Sequence, residues 1–598
     1  MWFRSKPIWK LSEVTARSLR GINTKRSFTW NSKGSNAFVR SSILKKRSMA
    51  TALLVTAVAA ASSVKLSSRP LDNGPKVDMS KPAISPDEVA KHNSPDDCWV
   101  VIDGYVYDLT EFAPVHPGGP TVIKSNAGKD VSAIFDPLHA PDVIEKFIDP
   151  SKRLGPLEGD MPKELVCAPF TPGETPDDVQ RKLKLRARLP PLDAITNLYD
   201  FEFLASQVLT KQAWAYYSSG ADDEITMREN HFAYHRIFFK PKVLVNVAEV
   251  DTKTEMLGAP VDVPFYVTAT ALCKLGNPAE GEKDIARGCG SGEKKVPQMV
   301  STLASCSLEE VVNAGKEDQI RWFQLYMNED RSVVDQMISS AEKLGYKGIF
   351  VTVDAPGLGN REKDTKVKFS SQAGPLSVKK KEKEDKGKDN GESSGASKYL
   401  SKFIDPSFDW DDLVEVKKKT KLPIVIKGVQ RVEDVVKAAE VGASGVVLSN
   451  HGGRQLDFSR SPIEVLAEAQ PILKERNFEN FDVFVDGGIR RGTDVVKALC
   501  LGAKGVGLGR PFLYANSVYG KEGVQKAIDI LNFEVEMTMR LLGVTSIKQL
   551  GPELIDTSCI KSRSVQVPRD YLYDKTYMSS DLVSFMPPQE DEADGENE

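Results

Sequence analysis

The sequence predicts an α/β chain in which a small α+β module precedes an eight-stranded (β/α)8 barrel. Two observations carry this. Between residues 263 and 508, eight short apolar runs alternate with longer amphipathic stretches, the pattern of parallel strands separated by helices. Within 82–158, a helix start, two apolar runs joined by Asp-Gly and two histidines fill a much shorter stretch. At 598 residues the chain is also too long for one core.

Residues 1–71 hold 14 Lys and Arg against one acid, Glu13, and residues 1–48 are Ser-rich, the composition of a mitochondrial transit peptide. The apolar run Met49–Val64 that follows is 16 residues long, short of the roughly 20 that span a bilayer. A basic segment followed by a short apolar one resembles the bipartite signals of the mitochondrial intermembrane space. A matrix signal with a helical spacer is the alternative, and no retained membrane anchor is expected. Beyond residue 71, 66 basic face 82 acidic residues, so that part carries −16 although the whole chain carries −3. Such a protein attracts a basic partner and repels nucleic acid. The seven cysteines form no CxxC or CxxCH, which excludes a covalent c-type haem motif and suggests no disulfide framework.

The module at 82–158 opens with Ser85-Pro86-Asp87-Glu88, a capped helix start with early acids. Cys98–Leu109 is two apolar runs joined by Asp103-Gly104, a hairpin signal. His116-Pro117-Gly118-Gly119 follows, and His139 stands 23 residues after His116. The chain has six histidines, so two in one small module carry weight. A b-type haem needs two neutral imidazoles from opposite sides, and Gly-Gly lets backbone approach a porphyrin. Helix, hairpin, HPGG and second histidine together resemble the cytochrome b5 family. The resemblance implies that His116 and His139 ligate a haem iron (haem b, protoheme IX). His92, outside the motif, reads as structural. Residues 159–195, Pro-rich and charged, read as a linker or hinge.

The barrel is expected over 196–560, with strands at 263–269, 297–301, 321–325, 348–353, 423–427, 444–449, 482–486 and 505–508. The gap between the fourth and fifth strands is long and includes a Lys-, Glu-, Gly- and Ser-rich stretch, 377–398, expected to be a mobile, protease-sensitive insertion. In this fold the chemistry sits where the strands end. The seventh strand runs into Asp486-Gly487-Gly488-Ile489-Arg490, and the eighth into Gly507-Leu508-Gly509-Arg510, a glycine- and arginine-bearing pair suited to phosphate. The sixth ends in Ser449-Asn450-His451-Gly452-Gly453-Arg454, which sets a base three residues from a carboxylate-binding guanidinium. The fifth ends in Lys427, the fourth in Asp354 with Arg361 soon after, and the third in Gln324-Leu325-Tyr326. Tyr216-Tyr217 lies before the barrel. His231 and His235 are spaced for a metal on a helix face, but no third ligand accompanies them.

The stretch SNHGGRQLD, Ser449–Asp457, identifies the region as similar to the FMN-dependent 2-hydroxyacid oxidases and dehydrogenases, to which glycolate oxidase belongs. The resemblance implies that His451 takes a proton from the substrate and that Asp354 orients it. Arg454 and Tyr216 would bind the carboxylate, Arg361 would be a second cation, and Tyr326 would reach the hydroxyl. Lys427 would stabilise the reduced flavin. FMN would contact Ala269, Thr270, Ala271, Ser301, Gln324, Thr352 and Lys427, with its phosphate among Asp486, Gly488, Arg490, Gly509 and Arg510. Ala271 and Leu303 would face the substrate side chain. Combined with the haem module and targeting segment, the resemblance implies oxidation of L-lactate with single-electron delivery to cytochrome c, in a homotetramer. Residues 560–588 are candidates for an arm toward another subunit, and the end of the 561–598 tail reads as a solvated acidic terminus. The alternatives are another L-2-hydroxy acid such as glycolate or mandelate, an oxygen-using oxidase with an idle haem domain, or a non-catalytic haem-binding protein on a decayed barrel. The intact set His451, Arg454, Lys427 and Asp354 argues against decay. Whether substrate hydrogen leaves as proton or hydride is left open.

Overall fold

The computed structural model describes residues 81–562 except 117–119, 136–138, 140–142, 168–173, 371–403 and 479. The targeting segment, the 377–398 insertion and nearly all of the tail lie outside the described residues.

In the small module, Ser85 caps the helix Pro86–Lys91 by accepting from the Glu88 N–H. Strands Asp97–Ile102 and Tyr105–Asp108 pair antiparallel. Asp103 (φ 49°) and Gly104 (φ 75°) both take left-handed backbone, the geometry a two-residue hairpin favours because its twist matches the strands. Alternation sends Cys98, Val100, Ile102, Tyr105 and Tyr107 into one apolar cluster, and Val101 and Val106 into another. His92 stacks on Trp99 at 3.5 Å between centroids and bonds Asp97 through Nδ1, a structural role.

The segment expected to be a linker is not featureless. Residues Pro176–Arg186 form a helix with a Thr175/Asp178 capping box. Glu174 pairs with Lys182 and accepts from the Lys211 backbone N–H. Arg186 donates to the Ser517 carbonyl and the Tyr519 hydroxyl to that of Pro190. Leu185, Leu189 and Leu192 also pack against the barrel core, but only the first lies in the helix, so no periodic stripe announces the attachment.

The barrel strands are β1 (Phe265–Val267), β2 (Gln298–Ser301), β3 (Arg321–Leu325), β4 (Ile349–Thr352), β5 (Ile424–Val429), β6 (Gly445–Leu448), β7 (Asp482–Asp486) and β8 (Gly505–Leu508). Each pairs parallel with the next, and β8 returns to β1 to close the sheet. All eight fall on the expected runs. Period-two alternation then sorts the interior into layers. Tyr266, Met299, Trp322, Phe350, Val425, Val447 and Phe484 form one apolar layer. Met256 and Val261, from the hairpin Thr254–Met256 and Ala259–Val261, join it and fill the N-terminal end. Two residues further along each of seven strands stand Thr268, Ser301, Gln324, Thr352, Lys427, Ser449 and Asp486, all buried and all polar. Among the described residues no helix is long and apolar enough to cross a membrane.

Candidate active site

The polar layer is a nearly continuous ring of hydrogen bonds. Ser301 donates to Gln324 Oε1 and Gln324 Nε2 to Thr352 Oγ1, each at 3.0 Å. Lys427 lies 3.4 Å from Ser449 Oγ and 3.5 Å from Asp486. Ser449 and Thr268 both donate to Asp486. Burial works against the Lys427 charge, but Asp486 and Asp354 outweigh it and raise its pKa, so the lysine is a fixed cation. Ser449 and Thr268 are parts of this ring that sequence reasoning did not single out. Their signal was register: each sits two residues past an apolar position.

Above the ring, Asp354 and His451 come from β4 and β6. His451 Nδ1 lies 2.9 Å from Asp354 Oδ1. His451 adopts left-handed backbone (φ 58°), followed by Gly452 and Gly453 in the same region. This unfavourable conformation is held by the His451 N–H donating to Ser449 Oγ and by the bond to Asp354. Burial, with Lys427 and Arg361, holds the imidazole below its ordinary pKa against the pull of Asp354, so it is neutral at neutral pH. Burial would raise the Asp354 pKa, but His451 and Lys427 prevail and hold it low. Asp354 Oδ2 is buried without a hydrogen-bond partner. A bulge in β5 at Gly428 (φ 106°) makes room for the pair, since a side chain there would lie 2.6 Å from the Asp354 Cβ.

Two guanidiniums face the same space. Arg454 donates to the carbonyls of Tyr216 and Ser219 and lies 4.9 Å over the Tyr216 ring. Arg361 is buried, and burial together with Arg454 pulls its pKa to about 10. Its contacts to the Arg454 carbonyl and Gln455 are long, 3.5 Å each. Gln455 in turn donates to the Asp354 and Gly357 carbonyls, fixing the loop that carries Arg361. Burial pushes the Tyr326 phenol well up, so it remains a donor.

One cleft is lined by Tyr216, Ala269, Thr270, Ala271, Ser301, Leu303, Gln324, Tyr326, Thr352, Arg361, Lys427, His451 and Arg454. Asp486, Gly488, Arg490, Gly509 and Arg510 line its other end. Asp354 stands behind His451 rather than on the wall. Gly487 and Gly488 have φ of 95° and 82°, and a side chain on Gly488 would strike the Asn230 carbonyl at 2.2 Å. Arg510 is spent partly on the protein, donating to the carbonyls of Tyr217, Gly452 and Ser219. A flat polar floor with donors and acceptors, glycine-lined backbone and two arginines at one end fit a flavin mononucleotide.

In the small module the rings of His116 and His139 are 6.1 Å apart between centroids. Two imidazoles each about 2 Å from a shared metal have centroids roughly 6 Å apart. His139 Nδ1 bonds the Phe135 carbonyl, which turns Nε2 outward, and burial lowers its pKa and keeps it neutral. This pair fits an axially ligated haem. Phe147 of the same module packs on the cluster of Tyr326, Ala355 and Ile404, alongside Leu303, at the barrel mouth. His231 and His235 hold no metal-like set: among the described residues no group of three ligands occurs. His231 instead bonds the Gly488 carbonyl and the Tyr199 hydroxyl.

Residues 205–557 match the FMN-dependent dehydrogenase model. The chain belongs to the FMN-dependent dehydrogenases. Residues 85–158 match the cytochrome b5-like heme/steroid binding domain. The chain is 63% identical to the L-lactate dehydrogenase (cytochrome) of Saccharomyces cerevisiae over 97% of its own length and 99% of that protein. The enzyme of the same name from Wickerhamomyces anomalus is 53% identical over 85% of this chain and 86% of its own. Among solved structures, the recombinant flavin-binding domain of baker's yeast flavocytochrome b2 is 66% identical, with a TM-score of 0.61, over 68% of this chain and 98% of that one. Within this family the chain thus carries the haem-binding module that these two fungal relatives span with it.

Proposed function

We propose that the chain oxidises L-lactate to pyruvate at the barrel mouth and delivers the two electrons singly through a b-type haem to cytochrome c. The observation that carries this is the neutral His451, held by Asp354, facing the same cleft as Arg454 and Arg361. FMN, when bound, supplies the two-electron acceptor, and the haem a one-electron carrier.

Arg454 and Tyr216 bind the lactate carboxylate, with Arg361 as second cation. Tyr326, kept protonated, donates to the substrate. His451 takes one proton at Nε2, the nitrogen opposite its bond to Asp354. The Asp354 carboxylate stabilises the imidazolium that forms, as a buried acid does in a triad. Ala271 and Leu303 flank the methyl group. Lys427, Ala269, Thr270, Ser301, Gln324 and Thr352 would hold the flavin, and Lys427 would supply the positive charge that stabilises it when reduced. Gly488, Arg490, Gly509 and Arg510, with Asp486 beside them in the cleft, would hold the phosphate. His116 and His139 ligate the haem iron. The acidic balance beyond residue 71 suits a basic acceptor protein, and the basic-then-apolar N-terminus suits delivery to the intermembrane space. A homotetramer completes the reading.

The test is an anaerobic visible spectrum of the purified protein before and after L-lactate. Flavin bleaching with sharp reduced-haem bands supports the proposal. Flavin bleaching alone would make it an oxidase with a disconnected haem, and a preference for mandelate across a substrate panel would overturn lactate.

A further inference from the structure

One helix, α1 (Ile225–His235), touches both working loops of the cleft, and neither contact belongs to the roles above. Its N-terminus has no cap of its own: Glu224 is left-handed (φ 59°) and makes no side-chain cap bond. The cap comes from Asp457, whose carboxylate accepts from the Ile225 and Thr226 N–H groups at 3.2 and 2.7 Å. In mid-helix Asn230, 1% exposed, exchanges two amide bonds with Asn450, each 2.7 Å. Asn450 immediately precedes His451, and its Oδ1 also accepts from the Gly453 N–H. One residue on, His231 Nδ1 lies 2.8 Å from the Gly488 carbonyl. A carbonyl only accepts, so the proton is on Nδ1, and Nε2 accepts from Tyr199 at 2.9 Å. Burial lowers the His231 pKa, consistent with that neutral form.

We infer that α1 is a shared strut: Asn230 positions the loop carrying the base while His231 positions the loop carrying the flavin phosphate. The inference rests on the functional reading above. The packing leaves no slack at either end. A side chain on Gly453 would lie 2.5 Å from the Met227 nitrogen, and one on Gly488 would lie 2.7 Å from the His231 nitrogen. With its carbonyl tied back to His231, Gly488 is held in the backbone twist that forms the wall at the phosphate end. Because Asn230 and His231 are adjacent on one rigid helix, a displacement at either loop is felt at the other. Both are positioning residues; neither lines the cleft.

The experiment uses the holoenzyme and two readouts: the rate of FMN release on dilution, followed by flavin fluorescence, and the rate of flavin reduction by L-lactate in stopped flow with excess FMN. His231→Leu is expected to release FMN about tenfold faster, the size of one lost hydrogen bond. His231→Asn, whose amide nitrogen can stand where Nδ1 stood, restores release to within about threefold of wild type. Asn230→Ala is expected to speed release and also to slow flavin reduction about tenfold. Asn230→Asp, nearly isosteric but unable to donate to Asn450, moves both rates in the same direction and serves if the alanine variant does not fold. Wild-type release from His231→Leu, or wild-type reduction by Asn230→Asp, would overturn the inference. Wild-type protein that carries no flavin would instead sink the functional reading on which it rests, so the two failures are distinguishable.

Discussion

Two layers of the same barrel, two residues apart on the same strands, have opposite characters. The lower one, Tyr266, Met299, Trp322, Phe350, Val425, Val447 and Phe484, is apolar and interlocks by packing, with Trp322 in aromatic contact with Tyr266, Phe350 and Phe484. The upper one is a buried ring of hydroxyls, an amide, a lysine and a carboxylate. Burying so many polar groups is tolerable because nearly all of them bond one another. The difference teaches that depth along a barrel strand divides labour: one layer holds the sheet closed, and the next offers an ordered polar floor on which a cofactor and a base can be set.

That contrast can be broken most sharply at the base, which stands two residues above the ring at Ser449. Replacing His451 with Gln is expected to slow flavin reduction by about 10⁴-fold, near the upper limit for one general base, while FMN stays bound and the melting temperature holds. Stopped-flow absorbance and a thermal melt check both halves; a variant reducing flavin at near wild-type rate would remove His451 as the base. In the layer below, Trp322→Ala should cost about 3–5 kcal/mol of stability through the cavity it leaves. Urea unfolding measures it, and a loss confined to activity would mean the layers are not divided as described. A smaller effect belongs to Asp354→Asn, expected to lower the reduction rate by roughly 10–100-fold because the imidazolium loses its counter-charge.

The same pair sets the pH response. His451 works only when neutral, and its pKa is lowered from 6.5, so the acid limb of kcat/KM should lie below 6.5. Asp354 is the group that pulls this pKa upward, so the Asn variant should shift the limb to still lower pH. A shift toward higher pH in the variant would contradict the electrostatics.

The parts most legible in the sequence were those written in short, local patterns. The strands read from apolar runs, the hairpin from Asp103-Gly104, and the histidine pair from HPGG and the chain's few histidines. The polar ring was half legible: Ser301, Gln324, Thr352, Lys427 and Asp486 were named, but Thr268 and Ser449 look like ordinary hydroxyls until register places them in the ring. What the sequence could not show were bonds across long separations. Asp457 capping a helix more than 200 residues earlier, and Asn230 facing Asn450, have no local signature. The spacing of His231 and His235 raised a metal pair only to leave it without a third ligand, and gave no hint of the Gly488 carbonyl, because spacing on a helix says which residues share a face, not what that face meets. The fastening of 174–190 to the barrel was hidden for a similar reason, being made by scattered polar bonds and a few apolar contacts to residues far along the chain.

The hairpin plug at the N-terminal end of the barrel has a kinetic corollary. Among the described residues, Met256 and Val261 with the apolar layer close that end, which leaves traffic the strand-end mouth, where Phe147 also packs. Lactate and pyruvate must then pass through one doorway in opposite directions, and a full doorway is a queue. Accumulating pyruvate would hold the site against the next lactate, so the plug that stabilises the fold also makes the enzyme's pace answer to its own product.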